Sequence, residues 1–303
     1  MHRFSDTRKF IQRARAESWP LISISVGVKT EDIGLIEDIA ESKCRVDFVT
    51  IDIANAFADS VADMIKHIKT NLPNAKVIAG NIWGDKDSVE FLQNAGADCL
   101  KIGLSMGSAC RTFPETSFGS PMFSAALEAG RWAKVPVILD GGIKENGDIA
   151  RAMIGFMANQ GEHTYGGNRA GKSYKKPLNI PMVMIGGQLA ACIDAPGESI
   201  YEKFVMEALK SGYSLDDITK NYPLNETQVK FKRFYGSASA ENKKKTGQVI
   251  KHIEGKTVDI PCNGLTYKEK YQEIIGAVQS QISYAGGKDL TAFKDVKWMS
   301  NLA

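Results

Sequence analysis

Six short apolar runs recur along the chain, and several of the stretches between them carry apolar residues at helical spacing. Each run is rich in β-branched residues and alternates little with polar residues, which is typical of parallel strands covered by helices. The first three intervals between runs match one strand plus one helix. The runs are LISISVGV from Leu21, FVTIDIAN from Phe48, KVIAGNIW from Lys76, CLKIGLSM from Cys99, VPVILDGG from Val135 and MVMIGGQL from Met182.

Three of the intervening stretches place apolar residues three or four positions apart. This spacing predicts amphipathic helices over residues 31–42, 57–70 and 85–95. Repeated strand–helix units predict an α/β fold with a parallel sheet.

The six runs end in small or polar residues, in the order GVK, DIAN, GNIW, GLSMGS, DGG and GGQ. One glycine or asparagine at such a place is ordinary turn chemistry. Six in succession indicate a shared site, because the carboxyl ends of the strands of a TIM (β/α)8-type barrel carry its active site. An open doubly wound sheet also binds ligands there, but it normally shows GxGxxG after its first strand, and none follows LISISVGV.

Composition narrows the functional classes. The 303 residues are 43% hydrophobic and 24% charged, and the 38 basic and 35 acidic residues give a net charge of +3. This balance argues against a nucleic-acid or membrane surface. No stretch approaches 18 uninterrupted apolar residues, and the five cysteines show no CxxC spacing. The sequence therefore predicts a cytoplasmic protein with free thiols.

The stretch KIGLSMGSACRTF places Cys110 in a Gly/Ser loop beyond a strand. A free cysteine is usually a small buried hydrophobe, but this position favours a nucleophile, since a thiolate adds to carbon and leaves readily. Thr112 can donate or accept a proton beside it. Two glycine pairs follow other predicted strands, Gly141 with Gly142 and Gly186 with Gly187. Bare backbone N–H groups at such places bind phosphate.

Several ordered motifs resemble the IMP dehydrogenase and GMP reductase family of purine-nucleotide barrels, over residues 2–287. GSACRT is similar to the family's cysteine loop, Gly-Ser-x-Cys-x-Thr, and LDGGIKENGDIARA to its Asp-Gly-Gly segment. IDIAN, AGN and GADCLKIG match its earlier strands, while RFYGSASA and EGKTVDIP resemble later segments around the site. The compact EGKTV segment, with neither a long Arg-Tyr flap nor a CBS-type regulatory domain, resembles the reductases.

The resemblance implies NADPH-dependent reduction of GMP to IMP and ammonia through a covalent thioimidate on Cys110. It makes Thr112 a proton relay and Glu254 a proton shuttle, and it implies a homo-tetramer. Two alternatives stay open: NAD-dependent oxidation of IMP to XMP, and a purine-nucleotide-binding homologue without turnover.

The same resemblance assigns the ligand contacts. The substrate contacts are Ser108, Asp140, Gly141, Gly142, Gly186, Gly187, Tyr235, Gly236, Lys251 and Gly255. The cofactor contacts are Arg3, Asp52 and Asn81, although Asp52 could equally be a strand-end cap. The carbonyls of Gly103, Ser105 and Cys110 match a monovalent-cation site, implying K⁺.

Some positions depart from the family pattern. Ser237, Ala238 and Lys251 stand where the family has other base-contacting residues, which leaves a modified or deoxy purine nucleotide open as substrate. Two insertions, near residues 159–177 and 199–230, have no counterpart, and the second contains helix-like stretches.

The sequence predicts one barrel domain over residues 1–303 with about six core strands, incomplete at its N-terminus. The family's barrel has two strands ahead of the first run. An open sheet would leave edges unpaired, so a separate polypeptide is expected to complete the barrel.

Overall fold

A computed structural model of the chain describes residues 6–107, 110, 112–158, 160, 178–222, 228–236, 239–240 and 255–296. Its main feature is a six-stranded parallel sheet in which strand order follows chain order. The strands are β1 (Ser23–Val26), β2 (Phe48–Asp52), β3 (Lys76–Ile82), β4 (Cys99–Ile102), β5 (Val137–Asp140) and β6 (Met182–Met184). Each of the six apolar runs therefore forms a strand, and the sheet is that of a TIM-type α/β barrel.

The helices alternate with these strands. They are α1 (Thr7–Ala16), α2 (Thr30–Glu41), α3 (Asp59–Asn71), α4 (Lys86–Ala95), α5 (Thr112–Thr116), α6 (Met122–Trp132), α7 (Asn146–Ala158) and α8 (Gly187–Ala190). The three helices expected from periodicity are confirmed as α2, α3 and α4. The α4 helix begins where the Asp85 side chain accepts a hydrogen bond from Ser88 N, and it ends at Gly96 in the left-handed conformation.

The helix-covered face of the sheet forms the main core. Its fully buried members include Ile51, Leu100 and Phe156, and α6 and α7 pack against the sheet beside each other. The opposite face carries a smaller apolar cluster, formed by Ile78, Cys99 and Ile138. Because side chains alternate along a strand, the residues beyond this cluster on the same face lie at the carboxyl ends of the strands.

A second sheet follows the barrel strands. Strands β7 (Ser199–Ile200), β8 (Phe231–Tyr235) and β9 (Thr257–Pro261) pair antiparallel in that order. The helices α9 (Lys203–Lys210) and α10 (Leu215–Asn221) lie between β7 and β8, where the sequence has helix-like stretches. The long α11 (Tyr267–Tyr284) and a 3-10 helix (Leu290–Asp295) come last. Periodicity did not predict this antiparallel sheet.

The edges of the parallel sheet are unpaired within the residues described, since β1 pairs only with β2 and β6 only with β5. The second polypeptide, the homo-tetramer and the single-domain boundaries stay predictions. All five cysteines are free thiols, as expected. None of the described helices has the length and apolar character to cross a bilayer. The insertion near residues 159–177 lies outside the described residues, apart from Gln160.

Candidate functional site

A cavity of about 870 Å³ lies at the carboxyl ends of the parallel strands. The strand ends of β2 to β6 all reach it, together with the cysteine loop and parts of β8 and α11. The predicted site residues that line it are Asp52, Asn81, Gly103, Ser105, Cys110, Thr112, Asp140, Gly141, Gly142, Gly186, Gly187, Gly236 and Gly255. The volume is ample for a small-molecule site.

A buried ammonium group joins two of the strand ends at the floor of this cavity. The Nζ of Lys101 donates to Asp52 Oδ1 at 2.7 Å and to Asp140 Oδ2 at 2.8 Å, and the Lys101 side chain is 7% exposed. Burial alone would lower the pKa of Lys101, but the carboxylates of Asp140 and Asp52 outweigh it and raise that pKa. The lysine therefore stays charged and holds both carboxylates in place.

Strand register explains how this contact forms. Asp52 pairs with Gly80, and Gly80 pairs with Lys101, so the three residues lie in one row across β2, β3 and β4. A Cβ atom on Gly80 would lie 2.4 Å from Lys101 Cβ. Glycine at that position leaves the space through which the lysine reaches Asp52.

Asn81 extends the network across the sheet. Its Nδ2 donates to Asp140 Oδ2 at 3.0 Å and to the Gly103 carbonyl at 2.7 Å. Gly103 has φ of 130°, and a Cβ there would lie 2.1 Å from the Asp140 carbonyl oxygen. A side chain at Gly103 would therefore push β4 and β5 apart at the cavity floor.

The Asp-Gly-Gly turn packs against the start of the cysteine loop. Gly142 N donates to the Met106 carbonyl at 2.9 Å. Gly141 has φ of 92°, and a Cβ on it would lie 2.8 Å from the Met106 carbonyl carbon. The positive φ and the close approach at Gly141 require glycine, and the hydrogen bond from Gly142 ties the turn to the loop.

Cys110 lies in this loop beside Thr112. The Cys110 Sγ is 3.3 Å from Thr112 Oγ1 and 3.5 Å from Thr112 N, and the thiol is half-buried. When the sulfur is a thiolate, both groups can donate to it. The Cys110 backbone also pairs antiparallel with Gly255, which brings the segment before β9 to the thiol.

The other thiol near the sheet has a different environment. Cys99 is buried among apolar side chains, and burial raises its pKa to about 11. It is therefore protonated and unreactive at neutral pH. Of these two thiols, only Cys110 lines the cavity.

Gly186 and Gly187 begin the short α8 at the far side of the cavity. A Cβ on Gly186 would meet nothing within 4 Å, so open space adjoins the backbone there. The two glycine pairs thus line the same cavity, as a phosphate cradle requires.

Not every expected residue is placed in the site. Tyr235 is not among the residues that line the cavity, whereas Phe234 and Gly236 on either side of it are. Since side chains alternate along β8, Tyr235 lies on the opposite face of the strand. Arg3, Ser108, Lys251 and Glu254 lie outside the described residues, as do Ser237 and Ala238.

The monovalent-cation site expected at the carbonyls of Gly103, Ser105 and Cys110 stays a prediction. The Gly103 carbonyl accepts one hydrogen bond, from Asn81 Nδ2, and the Ser105 side chain is held by donating from Oγ to the Phe118 carbonyl at 2.5 Å. A carbonyl oxygen has two lone pairs, so neither contact prevents a cation from binding there.

Sequence reasoning missed Lys101 and Gln188, both of which line the cavity. Lys101 is the single charged residue in the apolar run CLKIGLSM. A charge at a position expected to be buried could have identified it as a site residue. Gln188 follows the second glycine pair and carries no comparable signal in the sequence.

Comparison with known proteins identifies the family. Residues 12–159 match the family model described as IMP dehydrogenase / GMP reductase domain. A GMP reductase of Streptococcus pyogenes is 38% identical over 99% of this chain and 76% of its own length. A GMP reductase of Pediococcus pentosaceus is 36% identical over 99% of this chain and 77% of its own length.

A solved structure of a GMP reductase is also similar to this chain. The crystal structure of a GMP reductase from Trypanosoma brucei in complex with guanosine 5′-monophosphate superposes with a TM-score of 0.67 at 25% identity. The match covers 90% of this chain and 48% of that chain, so this chain spans about half of its length. On the identity and coverage of these relatives, this chain belongs to the IMP dehydrogenase and GMP reductase family.

Proposed function

We propose that this protein reduces GMP to IMP with NADPH and releases ammonia. The observation that carries the proposal is the position of Cys110 and Thr112 in one cavity with two glycine pairs and the Asp52–Lys101–Asp140 cluster. The relatives named GMP reductase favour reduction over oxidation.

Reduction of GMP to IMP needs a nucleophile that can add to carbon 2 of the guanine ring and later leave that carbon. The Cys110 thiolate adds to carbon 2 of the guanine ring, and the amino group leaves as ammonia after gaining a proton. A sulfur–carbon bond replaces the carbon–nitrogen bond. NADPH supplies a hydride to the same carbon when it is bound. The sulfur–carbon bond then breaks, the electron pair returns to Cys110, and IMP and NADP⁺ remain.

Thr112 and the segment before Gly255 would handle the proton. The Thr112 hydroxyl is within reach of the sulfur and can donate to it as the leaving thiolate forms. Glu254 is proposed as the group that protonates the departing amine. Its chain neighbour Gly255 pairs with Cys110, which supports that role.

The glycine pairs would hold the nucleotide. The open backbone at Gly186 and the tight turn at Gly141 and Gly142 would cradle the phosphate, while the Asp140 carboxylate would accept from ribose hydroxyls. Asp140 is held for this task by Lys101 and Asn81.

The other side of the cavity suits the nicotinamide. Asp52 and Asn81 lie at the ends of β2 and β3, whereas the two glycine pairs follow β5 and β6. Both side chains carry the hydrogen-bonding groups that a carboxamide needs. These residues therefore fit NADPH as the cofactor.

The test follows NADPH absorbance with GMP, and NAD reduction with IMP, using the wild-type chain, Cys110→Ala and Cys44→Ala. We expect GMP-dependent NADPH oxidation in the wild type, its loss by at least about a thousandfold in Cys110→Ala, and no change in Cys44→Ala. Cys44 is a half-buried free thiol outside the cavity and serves as the matched control.

Two results would contradict the proposal. IMP-dependent NAD reduction without GMP-dependent NADPH oxidation would make the protein a dehydrogenase. Binding of GMP with no turnover in either direction, with and without a supplied N-terminal segment that completes the barrel, would make it a nucleotide-binding homologue.

A further inference from the structure

Two carboxylates at the floor of the cavity share one counter-ion. Asp52 ends β2 and Asp140 ends β5, and β3 and β4 lie between these strands in the sheet. Lys101 of β4 bonds to both carboxylates, with its Nζ 2.7 Å from Asp52 Oδ1 and 2.8 Å from Asp140 Oδ2. Because β2 and β5 do not pair with each other, the Lys101 ammonium links their carboxylates directly.

Both carboxylates are open to a ligand. They line the cavity, and the side chains of Asp52 and Asp140 are 32% and 23% exposed. Asp140 Oδ2 accepts from Lys101 and, at 3.0 Å, from Asn81 Nδ2. Asp140 Oδ1 accepts no hydrogen bond from any residue that the structure describes, so it is the oxygen that a ligand hydroxyl can use.

The charge of the ammonium determines what this pair of carboxylates can bind. Neighbouring carboxylates without a cation repel each other and share a proton, so that one of the two is neutral. A neutral carboxyl group accepts weaker hydrogen bonds than a carboxylate does. With Lys101 between Asp52 and Asp140, two charged acceptors can face the cavity instead of one.

We propose that Lys101 is a positioning residue that allows the nucleotide and the cofactor to bind at the same time. This inference rests on the proposed function, in which Asp140 accepts from the nucleotide and Asp52 from the nicotinamide part of NADPH. With Lys101 present, each ligand meets a charged acceptor. Without it, the first ligand to bind takes the ionised carboxylate, and the shared proton stays on the other. The second ligand then binds to a weaker acceptor.

The experiment titrates NADPH by calorimetry into the protein alone and into the protein saturated with IMP, the proposed product. The measured quantity is the ratio of the dissociation constant of NADPH with IMP to that without IMP. We expect Lys101→Met to raise this ratio by about tenfold over the wild type, the equivalent of one hydrogen bond to a charged group. Lys101→Arg should bring the ratio back towards the wild-type value, because it restores the positive charge.

Two controls separate this role from a loss of stability. Lys69 forms an ion pair with Asp98, which precedes β4 at the end of the strand away from the cavity. Lys69→Met therefore removes an ammonium from an ion pair outside the cavity lining and should leave the ratio unchanged. When Lys101→Met is combined with Asp140→Asn, one carboxylate remains and no proton is shared. The ratio of this double variant should equal that of Asp140→Asn alone.

The outcomes can be told apart. The inference is overturned if Lys101→Met keeps the wild-type ratio, if Lys69→Met raises the ratio as much, or if Lys101→Met has the same effect when Asp140→Asn is present. If Lys101→Met does not fold, Lys101→Gln, which keeps a neutral donor, takes its place in each comparison. If the wild type binds neither IMP nor NADPH, the proposed function fails, and this inference fails with it.

Discussion

Lys101 sets the electrostatics of the cavity floor. Among the residues that the structure describes, it is the one ammonium that contacts both Asp52 and Asp140, and its side chain is almost fully buried. Without the ammonium, these two carboxylates would repel each other. Through these two ion pairs, the Lys101 side chain contacts both Asp52, which is proposed to bind the nicotinamide, and Asp140, which is proposed to bind the ribose.

We expect Lys101→Met to lower the free energy of unfolding by about 3 to 5 kcal/mol, the usual cost of removing one partner from a buried ion pair. Lys101→Arg should recover part of that loss, since it restores the charge. Urea unfolding at neutral pH measures both. A Lys101→Met variant as stable as the wild type would show that the two carboxylates do not depend on the ammonium.

The raised pKa of Lys101 determines how its contribution to stability changes with pH. The pKa of this lysine is higher in the folded state than in the unfolded state, where it is about 10.4. At any pH below the unfolded pKa, the lysine therefore makes its full contribution to the stability of the folded protein. That contribution is lost as pH rises through the folded pKa. The difference in stability between wild type and Lys101→Met should therefore shrink above about pH 10.4 and stay constant between pH 7 and 9.

The strand ends of β4 and β5 approach each other closely enough to require glycine. Gly103 adopts a left-handed conformation against the Asp140 carbonyl, and the turn after β5 packs on the Met106 carbonyl. The elements themselves are ordinary strands, but these contacts hold their ends and the start of the cysteine loop in close contact.

Gly103→Ala should lower the free energy of unfolding by about 3 kcal/mol, because it combines a strained φ with a clash against backbone. The matched control is Gly276→Ala in α11, where a Cβ meets nothing within 4 Å. That change should raise the free energy of unfolding by about 0.5 to 1 kcal/mol, since alanine favours the helix. Denaturant midpoints compare the two, and equal shifts would contradict the close approach at Gly103.

Stability is unevenly distributed over the whole molecule. The main core cluster draws its buried residues from the parallel sheet and its helices, with Ile274 and Phe293 added from the last two helices. The antiparallel sheet of β7, β8 and β9 contributes no member to it. This sheet nevertheless carries Phe234 and Gly236 to the cavity, and Gly255, which lies just ahead of β9 and is separated from it by Lys256, pairs with Cys110.

Native-state hydrogen exchange should therefore show different amide exchange rates in the two sheets. We expect amides of β8 and β9 to exchange through local opening, at least about tenfold faster than those of β3 and β4. GMP should slow exchange in β9 more than in α2, which lies away from the cavity. Uniform exchange across both sheets would show that the antiparallel sheet unfolds only with the core.

The sequence by itself determined the six strands and the helices α2, α3 and α4, because the hydrophobic pattern that predicts each of them is a local property of the chain. It also singled out Cys110, Thr112 and the glycine pairs, since each motif is contiguous. Their shared cavity followed from one rule, that the carboxyl ends of parallel strands meet.

Only the tertiary structure decided the contacts that depend on register between distant segments. Asp52, Gly80 and Lys101 fall in one row because three strands pair in a particular alignment, and no local pattern encodes that alignment. The face of β8 that carries Tyr235 and the burial of the Gln188 side chain were decided in the same way. Side-chain alternation and burial depend on which segments pack together, and the chain reveals those only when it is folded.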